Sequence, residues 1–209
     1  MSSSNKILQI YKSRLNILSI LETFQNYNTS NYNDFSINEI DAMYTNNQLD
    51  MLIQHKTDNK KTYIKYYLTS KQIRPQNLDN IIDDLFNIEN VLSKDDTLII
   101  IIEEEPNDTI ITKLEYLYNH DGIFVVIHNI QRLQFNILEH KLVPEMTILN
   151  SDETNELMKQ YNLSSLNQLP EISRFDPVAL ALSMRPGQVG KIVRGSITAL
   201  LTKFYRVCV

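Results

Sequence analysis

One stretch near the end of this 209-residue chain constrains the fold more than any other. It runs Leu169-Pro170-Glu171-Ile172-Ser173-Arg174-Phe175-Asp176-Pro177-Val178-Ala179-Leu180-Ala181-Leu182, then Arg185-Pro186-Gly187-Gln188-Val189-Gly190-Lys191-Ile192-Val193-Arg194. Asp176 suits a helix N-cap and Pro177 the first helical position, where an amide has no intrahelical acceptor. Val178, Leu180 and Leu182 predict that the short element beginning there is buried. Pro186-Gly187 predicts a tight turn, because proline presets φ and glycine accepts positive φ. Val189 to Arg194 alternates as a strand, with Ile192 on one face and Lys191 on the other. A capped helical turn, a tight turn and a cationic strand are compressed into one unit. It contains no nucleophile, metal cluster or phosphate loop.

The order and spacing of several pieces here resemble the C-terminal domain of the fifth common subunit of eukaryotic nuclear RNA polymerases, a family with a shorter archaeal counterpart. The pieces are His140-Lys141-Leu142-Val143-Pro144, Leu169-Pro170-Glu171-Ile172, Asp176-Pro177-Val178-Ala179-Leu180, Gly187-Gln188-Val189 with Lys191-Ile192-Val193-Arg194, and Tyr205-Arg206-Val207. The N-terminal two thirds matches the eukaryotic two-domain form only in length and element order. The resemblance implies a non-catalytic polymerase subunit without cofactor. Its C-terminal domain is expected to dock on the largest subunit and its N-terminal "jaw" to lie near downstream duplex DNA. Carried over residue by residue, Arg174, Asp176, Pro177, Arg185, Gly187, Lys191 and Arg194 are the expected assembly residues. The chain departs from the family at Ser196-Ile197-Thr198-Ala199-Leu200-Leu201, where a Ser-Glu-Thr-x-Gly-Arg-Tyr-like run is usual. It also departs at Pro106-Asn107-Asp108-Thr109, in place of a Thr-Pro-Ser-Ala jaw loop.

Charge agrees with a partner-facing tail. The whole chain carries a net charge of −5, so it is not a basic nucleic-acid coat. From Leu169 onward, however, Arg174, Arg185, Lys191, Arg194, Lys203 and Arg206 face only Glu171 and Asp176. The single cysteine, Cys208, excludes an internal disulfide and fits a reducing compartment. Met1-Ser2-Ser3-Ser4 and the polar interruptions after it do not read as a signal peptide, and no apolar run approaches the ~20 residues of a membrane span. Homo-oligomerisation is not expected. The Asn, Ile, Tyr and Lys bias suits an AT-rich genome, such as that of a large DNA virus. Expected locations are the nucleus for a cellular member, or a cytoplasmic factory or virion for a viral one.

Along the chain, Ile7, Ile10, Tyr11, Leu15, Leu18, Leu21 and Phe24 predict an amphipathic helix over 4–26, with caps from Ser2 to Ser4. Ser36-Ile37-Asn38-Glu39 is a capping box. Residues 49–56 and 61–68 predict a hairpin. Pro75 opens a helix with Leu78, Ile81, Ile82, Leu85 and Ile88 inward. The run 97–102 predicts a strand covered on both faces. Asn107 or Asp108 caps the next helix, Gly122 ends it, and 123–127 forms a parallel partner strand in a β-α-β unit. Ser151 is expected to cap a later helix with Leu157, Met158 and Tyr161 inward, and 203–209 to form a final strand. The resulting expectation is an α/β jaw-like domain with a mixed sheet over 1–135, and a small α+β assembly domain over 136–209.

Other chemistry is weaker. The turn Glu103-Glu104-Glu105-Pro106 would repel a phosphate, so the β-α-β unit lacks a nucleotide fingerprint. His55, His120, His128 and His140 lack ligand spacing. Lys60, Lys61, Lys65, Lys71 and Arg74, with Tyr63, Tyr66 and Tyr67, form the basic-aromatic segment that would meet DNA. Asp50, Gln54 and Lys56 faintly resemble the Asp…(Asp/Glu)-x-Lys set of Mg²⁺-dependent nucleases, although Gln54 is neutral where a second carboxylate belongs. A free-standing nuclease, and an adaptor using the C-terminal module outside polymerase, are the alternative readings.

Overall fold

The structure is a computed structural model that describes residues 3–209, with side chains from Asn5 onward. The chain forms two compact units, Met1–Asn136 and Ile137–Val209. The caps expected at Ser2 to Ser4 lie outside the described side chains.

The first unit is built on a five-stranded mixed sheet of order β1-β2-β3-β4-β5. These strands are Tyr27–Asn28, Met51–His55, Lys61–Tyr66, Thr97–Ile102 and Phe124–Asn129. β1, β2 and β3 pair antiparallel, whereas β3, β4 and β5 run parallel. Every residue of β4 and β5 is buried. That requires cover on both faces, and explains why Thr97–Ile102 is uniformly apolar after its first residue. Four helices supply the cover: α1 (Ser3–Gln25), α2 (Ile37–Thr45), α3 (Pro75–Ile82) and α4 (Asp108–Tyr116). Ser36 and Glu39 form the capping box of α2, Asn107 caps α4, and Gly122 ends the helical segment at φ +71°.

Three apolar assignments differ from expectation. Leu15 and Phe24 are exposed, while Ser13 and Arg14 are buried. The buried stripe runs Ile10, Arg14, Ile17, Leu21, at 3–4 residue spacing. Leu15 is turned about 100° from Arg14 and leaves it; Phe24 lies in the last turn. Ile88 is 71% exposed. The cause is local: α3 continues as a π-helical segment, Asp83–Ile88, with Glu89 N–H donating to the Asp84 carbonyl at 2.8 Å. Each wider turn shifts the inward face by one residue.

The second unit has a four-stranded sheet of order β6-β8-β9-β7. Its strands are β6 (Glu145–Ile148), β7 (Glu171–Ile172), β8 (Val189–Ser196) and β9 (Leu200–Cys208), with helices α5 (Ser151–Gln160) and α6 (Pro177–Ala181). β6, β8 and β9 are antiparallel and β7 runs parallel to β9. Met146, Ala179, Leu182, Met184 and Cys208 form the core, flanked by Ile148, Ile172, Val178 and Ile192. On the opposite sheet face the paired residues Val189 and Val207 are buried, and the Tyr161 and Tyr205 rings meet edge-on at 5.8 Å.

Local details of this unit also depart from expectation. Asn150, not Ser151, caps α5, in a reciprocal box with Glu153, and Tyr161 is exposed. Within α6 the fully buried residues are Ala179 and Ala181, while Val178 and Leu180 are partly buried; Leu182, which follows the helix, is buried as expected. The last strand starts at Leu200, three residues earlier than expected.

Candidate functional site

The tail organises around a turn and a cap. Gln188 N–H donates to the Arg185 carbonyl at 3.1 Å, and Gly187 takes φ +87°. This is the Pro-Gly arrangement of a type II turn. Asp176 accepts from Val178 N–H at 2.9 Å, and so caps α6. These contacts fix the entry into β8.

The assembly candidates do not share one face. Arg174 is only 5% exposed; its guanidinium lies 5.2 Å from the Phe175 ring centroid, and its backbone N–H donates to the Val209 carbonyl. It acts inside the unit. Lys191 and Arg194 are three residues apart on one strand, so they point to opposite sheet faces. Arg194 is exposed and its guanidinium stacks 3.7 Å from the Phe204 ring centroid. Pro177 and Gly187 are exposed, and Arg185 is half-buried.

Pieces far apart in the chain instead converge on a cleft of about 290 Å³. Val143, Pro144, Met146, Ile172, Val178 and Ile192 make its apolar lining, and Asp176 and Arg206 its charged groups. Arg206 also ties β9 to β7 by donating to the Glu171 carbonyl at 2.9 Å. Leu142, next to Val143, is 83% exposed. Arg206, Val143 and Pro144 stand outside the expected assembly set, although all three lie in the motif pieces. Cys208 is buried in the core, its thiol pushed up to about 11 by burial, so it is not a reactive nucleophile.

In the first unit the expected basic segment is split. Lys60 and Lys61 stand at the start of β3, Lys71 and Arg74 beyond its end, about 20 Å apart along a strand of six residues. Lys65, between them, is paired with Asp50 at 3.1 Å, and Lys71 with Glu104 at 3.6 Å. Asp50 also accepts from Tyr63 Oη at 3.2 Å and Tyr66 N–H at 3.0 Å. Its oxygens are thus committed to the protein, Gln54 lies four residues along an exposed strand face, and Lys56 pairs with Glu22. The nuclease arrangement has no geometric support. A cleft of about 590 Å³ beside this cluster, lined by Tyr44, Leu49, Asp50, Lys65, Tyr66 and Tyr67 among others, has its charges already neutralised by each other.

The three consecutive glutamates fan out. Glu103 meets Lys6 at 2.6 Å, Glu104 meets Lys71, and Glu105 meets Arg132 at 2.8 Å. They link α1, the segment after β3 and the segment after β5, so the acidic run is a fastening at the carboxyl end of β4. Among the described residues no group of three or more His, Cys, Asp or Glu side chains is placed to hold a metal ion. No described helix is long and apolar enough to cross a membrane.

Residues 135–208 match the family described as RNA polymerase Rpb5, C-terminal domain. The chain is 45% identical over 76 residues to the DNA-directed RNA polymerase subunit Rpo5 of Thermococcus kodakarensis, covering 36% of this chain and 92% of that one. The Rpo5 of Pyrococcus abyssi is 42% identical over the same length. The RPABC1 subunit of DNA-directed RNA polymerases I, II and III from Caenorhabditis elegans is 46% identical over 77 residues, which span 37% of this chain and 36% of that protein. The matched segment contains the turn, the cap and the cleft just described, and the chain belongs to the Rpb5 family, which includes archaeal Rpo5.

Proposed function

We propose that this chain is a non-catalytic subunit of a multisubunit DNA-directed RNA polymerase, seated through its C-terminal unit. The observation that carries the reading is the 45% identity over 92% of an archaeal polymerase subunit. A protein consisting of little more than the matched domain is a polymerase subunit by name, which supports placing this role on the C-terminal unit. The local physics agrees. The unit is stiffened by capping, a type II turn and a packed core, and its last acidic side chain is Asp176. A rigid module with a cationic tail from Leu169 onward suits docking, because little conformational entropy is lost on association.

The largest subunit is the proposed seat. The cleft between Asp176 and Arg206, with Pro177, Gly187 and Arg194 nearby in the sequence, is the proposed contact region, and Arg174 supports it from inside. The first unit is the proposed jaw. Support for that comes from its position N-terminal to the assembly domain and from its α/β architecture. Lys60, Lys61, Lys71 and Arg74 are the residues through which it would lie near downstream DNA. The polymerase defines the location: nuclear for a eukaryotic enzyme, cytoplasmic for an archaeal one, and the factory or virion for a viral one.

Affinity purification of the tagged chain from its native source tests this. Co-elution with the two largest polymerase chains in fixed stoichiometry is expected. Recovery without them, or in complexes lacking polymerase, contradicts it.

A further inference from the structure

The β8–β9 hairpin outruns its sheet. β6 pairs with β8 only over 190–193, and β7 pairs with β9 only at 207 and 208. Beyond these, Arg194↔Thr202, Gly195↔Leu201 and Ser196↔Leu200 pair only with each other. A two-stranded ribbon with both outer edges unpaired is marginal alone in water. Its tip is nonetheless apolar: Ile197 is fully exposed, Leu200 88% and Leu201 68%. Side-chain alternation puts Leu200 on the face of Ile192 and Phe204, and Leu201 on the face of Lys191 and Tyr205. The tip is therefore apolar on both faces. Leu200 also sits at φ +55°, the left-handed conformation with which a three-residue hairpin loop commonly closes.

We propose that this ribbon end is a two-faced plug that seats in a concave apolar socket with an acidic rim on another subunit of the polymerase. The inference rests on the subunit reading above. A flat surface covers one face of a ribbon and leaves the other wet; a socket covers Ile197, Leu200 and Leu201 together. The rim chemistry is set by charge. Arg194 and Lys203 flank the apolar tip, Arg194 is held in place by Phe204, and no carboxylate side chain occurs after Asp176. Acidic groups around the socket complement that stem and orient its entry.

The test uses the full-length chain co-expressed with the polymerase subunits of its source. The variant Ile197→Ser/Leu200→Ser/Leu201→Ser is expected to melt as wild type does, because its side chains are already in water. In competition with wild type, its share of assembled polymerase is expected to fall about tenfold or more, as for loss of a central apolar anchor. A photo-crosslinking residue at position 200 is expected to attach to another polymerase subunit. Equal incorporation of the variant overturns the proposal. So does crosslinking to a second copy of this chain, or binding of wild type but not the variant to anionic vesicles with no crosslink to polymerase. If wild type itself fails to enter polymerase, the subunit reading fails; if wild type enters and the variant enters equally, only the plug fails.

Discussion

Arg14 Nη1 donates to the main-chain carbonyl of Leu49 at 3.0 Å, joining the first helix to the entrance of β2. The guanidinium is buried, and burial lowers its pKa. It lies over the Tyr32 and Phe35 rings at 5.7 and 5.4 Å, so one carbonyl and two aromatic faces replace part of its hydration, and its Nε is buried without a hydrogen-bond partner. Arg14→Ala strands the Leu49 carbonyl and opens a void. The expected loss of stability is about 2–3 kcal/mol. Arg14→Met keeps the volume and removes the charge, and is expected to cost less. Urea unfolding of both variants checks the order, and an equal loss would show that the lost hydrogen bond and charge, not side-chain volume, carry the effect.

His128 makes stability depend on pH. It is buried, and burial, with the Arg132 charge adding, lowers its pKa to about 4. In the unfolded chain the imidazole titrates near 6.5. Between these values the unfolded state binds more protons, so stability falls as pH falls from about 6.5 to 4. The full effect is about 3 kcal/mol across that window. His128→Leu, which cannot titrate, is expected to flatten the dependence when unfolding midpoints are compared at pH 7 and pH 4.5. An unchanged slope would assign it to carboxylates instead.

Gly190 and Met146 are a matched pair. A Cβ built at Gly190 meets the Met146 Cε at less than a contact distance, across the β6–β8 ladder. Gly190→Ala is expected to cost about 1–3 kcal/mol as overpacking. Because the obstructing atom ends a flexible side chain, Met146→Ala in the same chain is expected to recover part of that cost. A double-mutant cycle measures the coupling; additive losses would mean that the two do not compete for one space.

Periodicity made the sheet of the first unit legible, because β4 and β5 each carry an unbroken apolar run, Leu98 to Ile102 and Phe124 to Ile127, and Gly122 ends the helical segment between them. The capping box at Ser36 was equally plain, since its chemistry is local. What stayed hidden was set by tertiary context. Arg14 occupies a core position because Leu49, Tyr32 and Phe35 arrive from elsewhere in the chain. Ile88 turns outward because π-helical turns shift the face, which residue spacing does not announce. In the tail, the motif pieces marked the right segments, but strand alternation put Lys191 and Arg194 on opposite faces. The cleft that joins Val143, Asp176 and Arg206 exists only once β6, α6 and β9 are packed together.

Quantitative mass spectrometry of polymerase purified through its largest subunit tests the central claim most directly, with wild-type chain and Arg194→Glu supplied in competition. Arg194 is exposed, so the reversal is expected to leave the isolated protein folded. The account predicts wild-type chain in fixed stoichiometry and a clear deficit of the variant. Absence of both from the purified enzyme would contradict the seating of this chain in polymerase, and equal incorporation would contradict the cationic contact.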